Sequence, residues 1–217
     1  MTNRGFHGRW FHGALLLGLF AAGCGSVQLP RERYWRLDLP VPAGSELPHG
    51  GILRVEDLQL ANALHGDCLL QAIGEAQLEP LEHERWIAPL ERLVTDAVVL
   101  GLSRTRSFEL VKGAGDAGRE DQVLHGRVVD FAVHRGGRAS SAHAVFEFWL
   151  EREGQLAFHD EFAASVPLAG DGPLARDSAA AGVAALAQAL QQVLDQLGGR
   201  MRQAGVFARA AESTPSR

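Results

Sequence analysis

The sequence predicts a single α+β domain in which an antiparallel sheet carries two helices packed on one face. Apolar and polar residues alternate from residue 142 to residue 151, as they do in a strand with one buried face. Two other segments repeat apolar residues at intervals of three and four, which indicates amphipathic helices. The 217 residues are 46% hydrophobic and 22% charged, and no change of composition divides them, so one domain with tails is expected.

Residues 1–23 have the three parts of an export signal peptide. Arg4 and Arg9 give a positive start, residues 14–22 form a short apolar run, and small residues precede Cys24. The apolar run is far shorter than the ~20 residues that a transmembrane helix needs. We therefore expect a cleaved signal peptide and no permanent membrane span in this segment.

Cys24 distinguishes a lipoprotein signal from an ordinary one. Ala22, Gly23 and Cys24 match the last three positions of the bacterial lipobox, while Ala21 stands where leucine is usual. The sequence predicts cleavage before Cys24 and lipidation of its thiol, with residues 24–32 as the lipidated cysteine and tether. An ordinary cleaved signal is the alternative. Acyl chains anchor a protein because each buried CH₂ contributes about 0.8 kcal/mol. No aspartate follows Cys24, so the expected location is the periplasmic face of the outer membrane.

The first half of the domain reads as short strands. Residues 34–39 alternate and stop at Pro40, and residues 41–51 are rich in proline and glycine and predict a loop. Residues 52–55 predict a second strand. Residues 68–79, with Gly74 and Glu75 at the centre, predict a hairpin.

A helix is predicted from near Trp86 to near Gly101. Its apolar stripe is formed by Trp86, Leu90, Leu93, Ala97 and Leu100, with Ile87, Val94 and Val98 widening it. Pro89 is compatible with the first turn, where its missing N–H costs no hydrogen bond. Trp86 is interpreted as a core anchor of this helix.

The second half predicts more strands and a final helix. The expected strands are residues 108–111, 122–134, 142–151 and 156–166. Val183 to Leu197 follow the helical period, and Gly198-Gly199 is the predicted stop. The domain is thus expected to cover residues 33–205, followed by a disordered tail at 206–217.

The charge of the chain argues against nucleic-acid binding. The formal net charge is -5, and it falls to near -7 once Arg4 and Arg9 leave with the signal peptide. Lys112 is the only lysine. Phosphate binding needs clustered lysine and arginine, so nucleic acid is excluded as a partner.

Four histidines lie on predicted strands and raise the question of a metal site: His125, His134, His143 and His159. None forms a His-x-His or His-x₃-His pair, although neighbouring strands could bring His134 and His143 together across the hairpin. Cys68 has no second free cysteine to complete a zinc site. We interpret the four as solvent-facing polar residues and Cys68 as a small buried apolar residue, and we predict no metal and no cofactor.

No catalytic motif is recognised. Ser140 and Ser141 have His143 nearby but lack a nucleophile elbow. Four acids are expected at the first helix start, where they favour the helix dipole: Glu79, Glu82, Glu84 and Glu91. The segment Arg135–Arg138 lacks the length and the Lys-Ser/Thr of a phosphate loop. The sequence predicts a protein that is not an enzyme.

Three motifs resemble the ABC-type transport auxiliary lipoproteins, the family that includes paraquat-inducible lipoprotein C. They are Tyr34-Trp35-Arg36-Leu37 soon after the lipidated cysteine, Ile52-Leu53-Arg54-Val55, and Arg85-Trp86-Ile87-Ala88-Pro89-Leu90. The resemblance covers roughly residues 33–200. One departure is at residues 64–71, where the family usually has a Tyr-Leu stretch and this chain has Leu64-His65-Gly66-Asp67-Cys68-Leu69.

This resemblance implies a non-catalytic role in lipid transport. Family members accompany MCE-type systems, in which an inner-membrane permease and ATPase act with a periplasmic MCE protein. The expected partners are that MCE-domain protein and the membrane, the latter through the N-terminal lipid. Docking onto a ring-forming partner would suit a homo-oligomer.

The alternative is an outer-membrane lipoprotein that activates a peptidoglycan synthase. Such activators typically cross the cell wall on a long disordered linker. Here the tether is about ten residues long and reaches at most ~35 Å when fully extended. The short tether favours a docking role close to the membrane.

Overall fold

The computed structural model describes residues 31–40, 50–74, 76–135, 140–168 and 179–207. The predicted signal peptide, Cys24, most of the tether and residues 208–217 of the predicted tail lie outside the described residues. The elements are β1 (Arg33–Trp35), β2 (Gly50–Val55), β3 (Gln59–Leu60), β4 (Cys68–Ile73), β5 (Gln77–Trp86), α1 (Leu90–Arg104), β6 (Phe108–Gly113), β7 (Gln122–Arg135), β8 (Ser141–Arg152), β9 (Gln155–Pro167) and α2 (Ala179–Gln203).

The nine described strands form one mixed sheet, so the prediction of an antiparallel sheet was wrong. The order β1-β5-β4-β7-β2-β6 is extended by β8 and β9, and β3 also pairs with β7. The pairs β1–β5, β2–β6, β2–β7, β3–β7 and β4–β7 are parallel. The antiparallel pairs are β4–β5, β7–β8 and β8–β9. Antiparallel hairpins leave a local signal in their turns, whereas parallel pairs join strands distant in sequence and leave none.

The predicted hairpins are confirmed. β7 and β8 pair from Gln122↔Arg152 to His134↔Ser141, with a register shift between Val128 and Asp130. At the β8–β9 turn, Glu153 and Gly154 have φ angles of 52° and 73°. Two central residues with positive φ match the twist of the flanking strands, which fixes the register of this hairpin.

The first helix begins later than predicted. It runs over Leu90–Arg104, and Trp86 is the last residue of β5. Backbone pairing holds this segment extended: the Trp86 amide donates to the Asp67 carbonyl at 2.6 Å, and the Ile87 amide donates to the Trp35 carbonyl at 2.8 Å. Trp86 is nevertheless buried, as expected of a core anchor. The prediction failed because the apolar spacing continues from the end of β5 into α1, so the spacing does not show where the strand ends and the helix begins.

The second helix passes through Gly198 and Gly199 and ends at Gln203, so the predicted stop was wrong. The Gly205 amide donates to the Arg202 carbonyl at 3.1 Å, and the Val206 amide donates to the Met201 carbonyl at 3.0 Å. Gly205 has a φ of 68°. These bonds form a Schellman motif. The helix continues because Met201 is fully buried, and that burial offsets the ~1 kcal/mol that each helical glycine costs.

Both helices pack on the same face of the sheet, as predicted. Alternate β8 residues face them and are fully buried: Ala142, Ala144, Phe146, Phe148 and Leu150. The helices meet at Gly101, where an added Cβ would lie 2.5 Å from the Leu194 side chain. Buried residues of the sheet and both helices form one hydrophobic cluster. We call the opposite side of the sheet, which neither α1 nor α2 covers, the helix-free face.

Candidate functional site

The helix-free face carries all four histidines that the sequence placed on strands. The cross-strand partners are His125↔Trp149, Trp149↔His159 and His134↔Ser141, and His143 lies opposite Ala132. Odd-numbered β8 residues point away from the buried even-numbered ones because strand side chains alternate. The histidines are therefore polar residues of one face, as predicted, but they divide into two groups.

The first group is centred on Trp149. Its ring stacks on His125 with centroids 5.5 Å apart and meets His159 edge-on at 5.6 Å. His159 Nε2 lies 2.7 Å from Glu147 Oε1, and His125 Nε2 lies 3.9 Å from a Glu151 carboxylate oxygen. Trp149 separates the two imidazoles, so this group has no convergent nitrogen pair.

The second group lies where β7 ends and β8 begins, and its side chains do converge. The rings of His134 and His143 stack with centroids 3.9 Å apart and an interplanar angle of 7°. His134 Nε2 lies 2.6 Å from Asp130 Oδ2, and one donor atom from each of the three residues lies within 4.8 Å of the others. Burial lowers the pKa of His143, and the neighbouring His134 lowers it further. Asp130 was missed in the sequence, although the spacing Asp130, Ala132, His134 predicts one strand face.

Ser141 contacts this group, but the contacts do not form a hydrolase triad. Ser141 Oγ lies 2.8 Å from His143 Nε2. Asp130 contacts His134 and not His143. A serine nucleophile needs a base that a third group orients by hydrogen bonding, and here the neighbour of His143 is a stacked ring. Ser140 is buried, and its carbonyl accepts from the Leu168 amide.

At the edge of the sheet formed by β1, the structure brings two of the sequence motifs together. β1 pairs with the end of β5 in parallel, with Tyr34↔Arg85 and Trp35↔Trp86 in register. The motif that follows the tether and the motif that precedes α1 are therefore neighbouring strands. Nothing in either segment alone signals this pairing.

Glu84 fastens β1 to this edge. Its side chain is only 7% exposed. Arg33 Nε donates to its two carboxylate oxygens at 2.9 and 3.0 Å, and Trp35 Nε1 donates to Oε2 at 2.7 Å. Charge-assisted bonds of this kind are stronger than neutral ones. The prediction that Glu79, Glu82 and Glu84 lie at a helix start was wrong, because all three are on β5.

Cys68 lies beside a charged cluster at the same edge. Arg85 donates to Asp67 at 2.7 Å, to Glu32 at 3.0 Å and to Cys68 Sγ at 3.5 Å. Burial raises the pKa of the Cys68 thiol despite the nearby guanidinium. Hydrogen bonds from Tyr34 and Arg85 lower the pKa of Glu32. Cys68 is half-buried, so the prediction of a small apolar residue holds only in part.

The chain is similar to solved structures of proteins without an assigned function. A Xanthomonas campestris protein of family DUF330 superposes with a TM-score of 0.67 at 19% identity, covering 80% of this chain and 96% of that one. An uncharacterized protein superposes with a TM-score of 0.63 at 20% identity, covering 79% of this chain and 99% of that one. Identities this low support the fold alone. No curated protein matches the chain.

Among the described residues, neither helix is long and apolar enough to cross a membrane.

The family itself is identified by a match along most of the sequence. The family model for the ABC-type transport auxiliary lipoprotein component matches residues 36–198. The resemblance noted in the motifs is thereby confirmed, and the chain belongs to the ABC-type transport auxiliary lipoprotein component family.

Proposed function

We propose that this chain is a lipid-anchored, non-catalytic auxiliary component of an MCE/ABC-type intermembrane lipid transport system. Lipid on Cys24 holds it at the periplasmic face of the outer membrane, where the domain docks the periplasmic MCE protein. The observation that carries the proposal is the family match over residues 36–198, whose description is an ABC-type transport auxiliary lipoprotein. ATP hydrolysis and membrane passage belong to the partners.

The attachment of β1 supports a membrane-proximal position. β1 begins at Arg33, about ten residues after Cys24, so the domain stays within ~35 Å of its anchor. The Glu84 carboxylate ties β1 to the rest of the sheet through Arg33 and Trp35. The start of the domain is thus firmly held, and only a short segment separates it from the lipid.

The anchoring part of the proposal is tested by Cys24→Ser. Only the thiol at the cleavage site accepts diacylglycerol, so this variant is expected to lose palmitate labelling and outer-membrane retention. Cys68→Ser is the matched control, since it removes the other cysteine and should keep both. Unchanged membrane retention of Cys24→Ser, together with no palmitate in the wild-type chain, would contradict the proposed anchor.

The docking part is tested by a pull-down with the MCE protein encoded beside this chain. We expect retention of that partner and slower association as salt rises, because an acidic domain uses charged contacts in its encounter. An MCE protein from an unrelated operon is the control. Retention of a peptidoglycan synthase with no MCE association at low salt would replace this proposal with the activator function.

A further inference from the structure

One group of side chains on the helix-free face is not used by the proposed function. Asp130, His134 and His143 offer one donor atom each, all within 4.8 Å of one another. The group is partly exposed, with 33% of the His134 side chain and 23% of Asp130 accessible. The side chains are thus partly accessible, although the His134 Nε2 atom itself is shielded.

The hairpin register explains why these residues converge. Ala132 lies opposite His143, and His134 lies opposite Ser141. Asp130 and His134 flank Ala132 on one strand, so their side chains reach toward each other over the small alanine while His143 comes from the neighbouring strand. Two strands thus contribute donors to one point.

We propose that Asp130, His134 and His143 bind a divalent transition-metal ion of the zinc class. Two imidazoles and one carboxylate suit Zn²⁺, Ni²⁺ or Cu²⁺, whereas Mg²⁺ and Ca²⁺ favour oxygen donors. Three protein ligands leave a fourth position for water.

The state of His134 supports this assignment. Its Nε2 is shielded from solvent and has no aligned hydrogen bond with any described residue, although Asp130 Oδ2 is 2.6 Å away. A shielded nitrogen without a hydrogen bond is unfavourable in a protein interior. A metal ion between the imidazole and the carboxylate would satisfy both groups.

Binding requires the side chains to move, because His134 Nε2 and Asp130 Oδ2 are now 2.6 Å apart and must separate to admit an ion. Zinc holds nitrogen and oxygen ligands at about 2.0–2.2 Å in a tetrahedron, which places the donors ~3.4 Å apart. The rings are now parallel, with an interplanar angle of 7°, so one must rotate to aim its nitrogen at the ion. The bound ion would then hold β7 and β8 together where β7 ends and β8 begins.

The test is calorimetric titration of the full chain with ZnCl₂, in non-ionic detergent, after chelator treatment and without a polyhistidine tag. We expect one ion per chain. A ligand that binds only the folded state raises its melting temperature, by roughly 5–10 °C when the free ion is about 100-fold above Kd. Excess MgCl₂ should neither bind nor compete.

Variants distinguish this site from casual binding to histidine. His134→Ala and His143→Ala should each weaken binding at least ~10-fold, since even loss of an outer-shell partner has that effect. His125→Ala and His159→Ala are matched controls on the same face and should bind as the wild type does. Asp130→Asn keeps the shape and should also weaken binding, which guards against misfolding of the alanine variants. Absence of one-to-one binding, or equal loss in the controls, would overturn the proposal.

Discussion

The attachment of β1 by Glu84 makes a quantitative prediction about stability. Glu84→Ala removes the acceptor for the Trp35 indole and for Arg33, whose bonds to the carboxylate are 2.5 to 3.0 Å long. A donor left unpaired costs about 1–3 kcal/mol, and a bond to a charged group contributes about 1.5–3 kcal/mol. Arg33 is 34% exposed and can regain water, so we expect the free energy of unfolding to fall by about 2–4 kcal/mol.

Arg33→Ala should cost more, about 3–5 kcal/mol, because it leaves a buried carboxylate without its counter-charge. The double variant should cost less than the sum, since removing both partners leaves no stranded charge. The assay is urea unfolding of the full chain in non-ionic detergent, followed by circular dichroism. Glu82→Ala is the matched control, because Glu82 is exposed on the same strand.

Two results would refute this reasoning. One is a Glu84→Ala midpoint equal to that of Glu82→Ala. The other is strict additivity in the double variant, which would mean that Arg33 and Glu84 act independently. Amide exchange at Ile87, which donates to the Trp35 carbonyl, reports whether β1 detaches locally before the domain unfolds.

Three further predictions concern single side chains. Trp86→Ala should lower the free energy of unfolding by about 3–5 kcal/mol, the range for truncating a buried aromatic side chain. Ile87 is 63% exposed, so Ile87→Ala should change the free energy of unfolding little. Equal urea midpoints for the two variants would contradict the burial of Trp86. The hydrogen bond from Lys112 lowers the pKa of Glu120, so this pair stabilises the fold above the pKa of Glu120 in the unfolded chain and loses its effect as the pH falls through the pKa in the folded chain. Glu120→Gln should therefore flatten the acid side of a plot of melting temperature against pH. An unchanged slope would contradict this prediction. The raised pKa of Cys68 predicts slow alkylation by iodoacetamide at pH 7 and a steep rise with pH, and a rate at pH 7 equal to that in urea would count against it.

Local sequence patterns were sufficient for the hairpins and for the existence of both helices. The alternation from residue 142 to 151 predicted β8, and the glycine at 154 predicted its turn, because a strand and its neighbour in a hairpin are specified by adjacent residues. The same locality explains the error at Trp86. Trp86 fits the helical spacing but is the last residue of β5, because backbone hydrogen bonds to Asp67 and pairing with β1 hold it in an extended conformation.

The candidate site shows the same limit. The four histidines could be assigned to strands, and the hairpin could be expected to bring His134 near His143. The alternation of a strand places Asp130 on the same face as His134, but it does not show that the two side chains approach to 2.6 Å, and so Asp130 was not selected. The sequence also gave no sign that His125 and His159 contact Trp149 while His134 and His143 stack on each other, because these contacts depend on the cross-strand partners.

The sequence by itself determined the family motifs and the strands that form hairpins, and it carries the predictions of an export signal and of a lipidated Cys24. These depend on residues close together in the chain, where periodicity and turn chemistry act directly. Only the tertiary structure decided the parallel pairing of β1 with β5, the burial of Glu84 and the convergence of Asp130, His134 and His143. Such contacts depend on which strands are neighbours and on how their side chains meet, and no local preference specifies them. Their position follows from burying one common core against one face of the sheet.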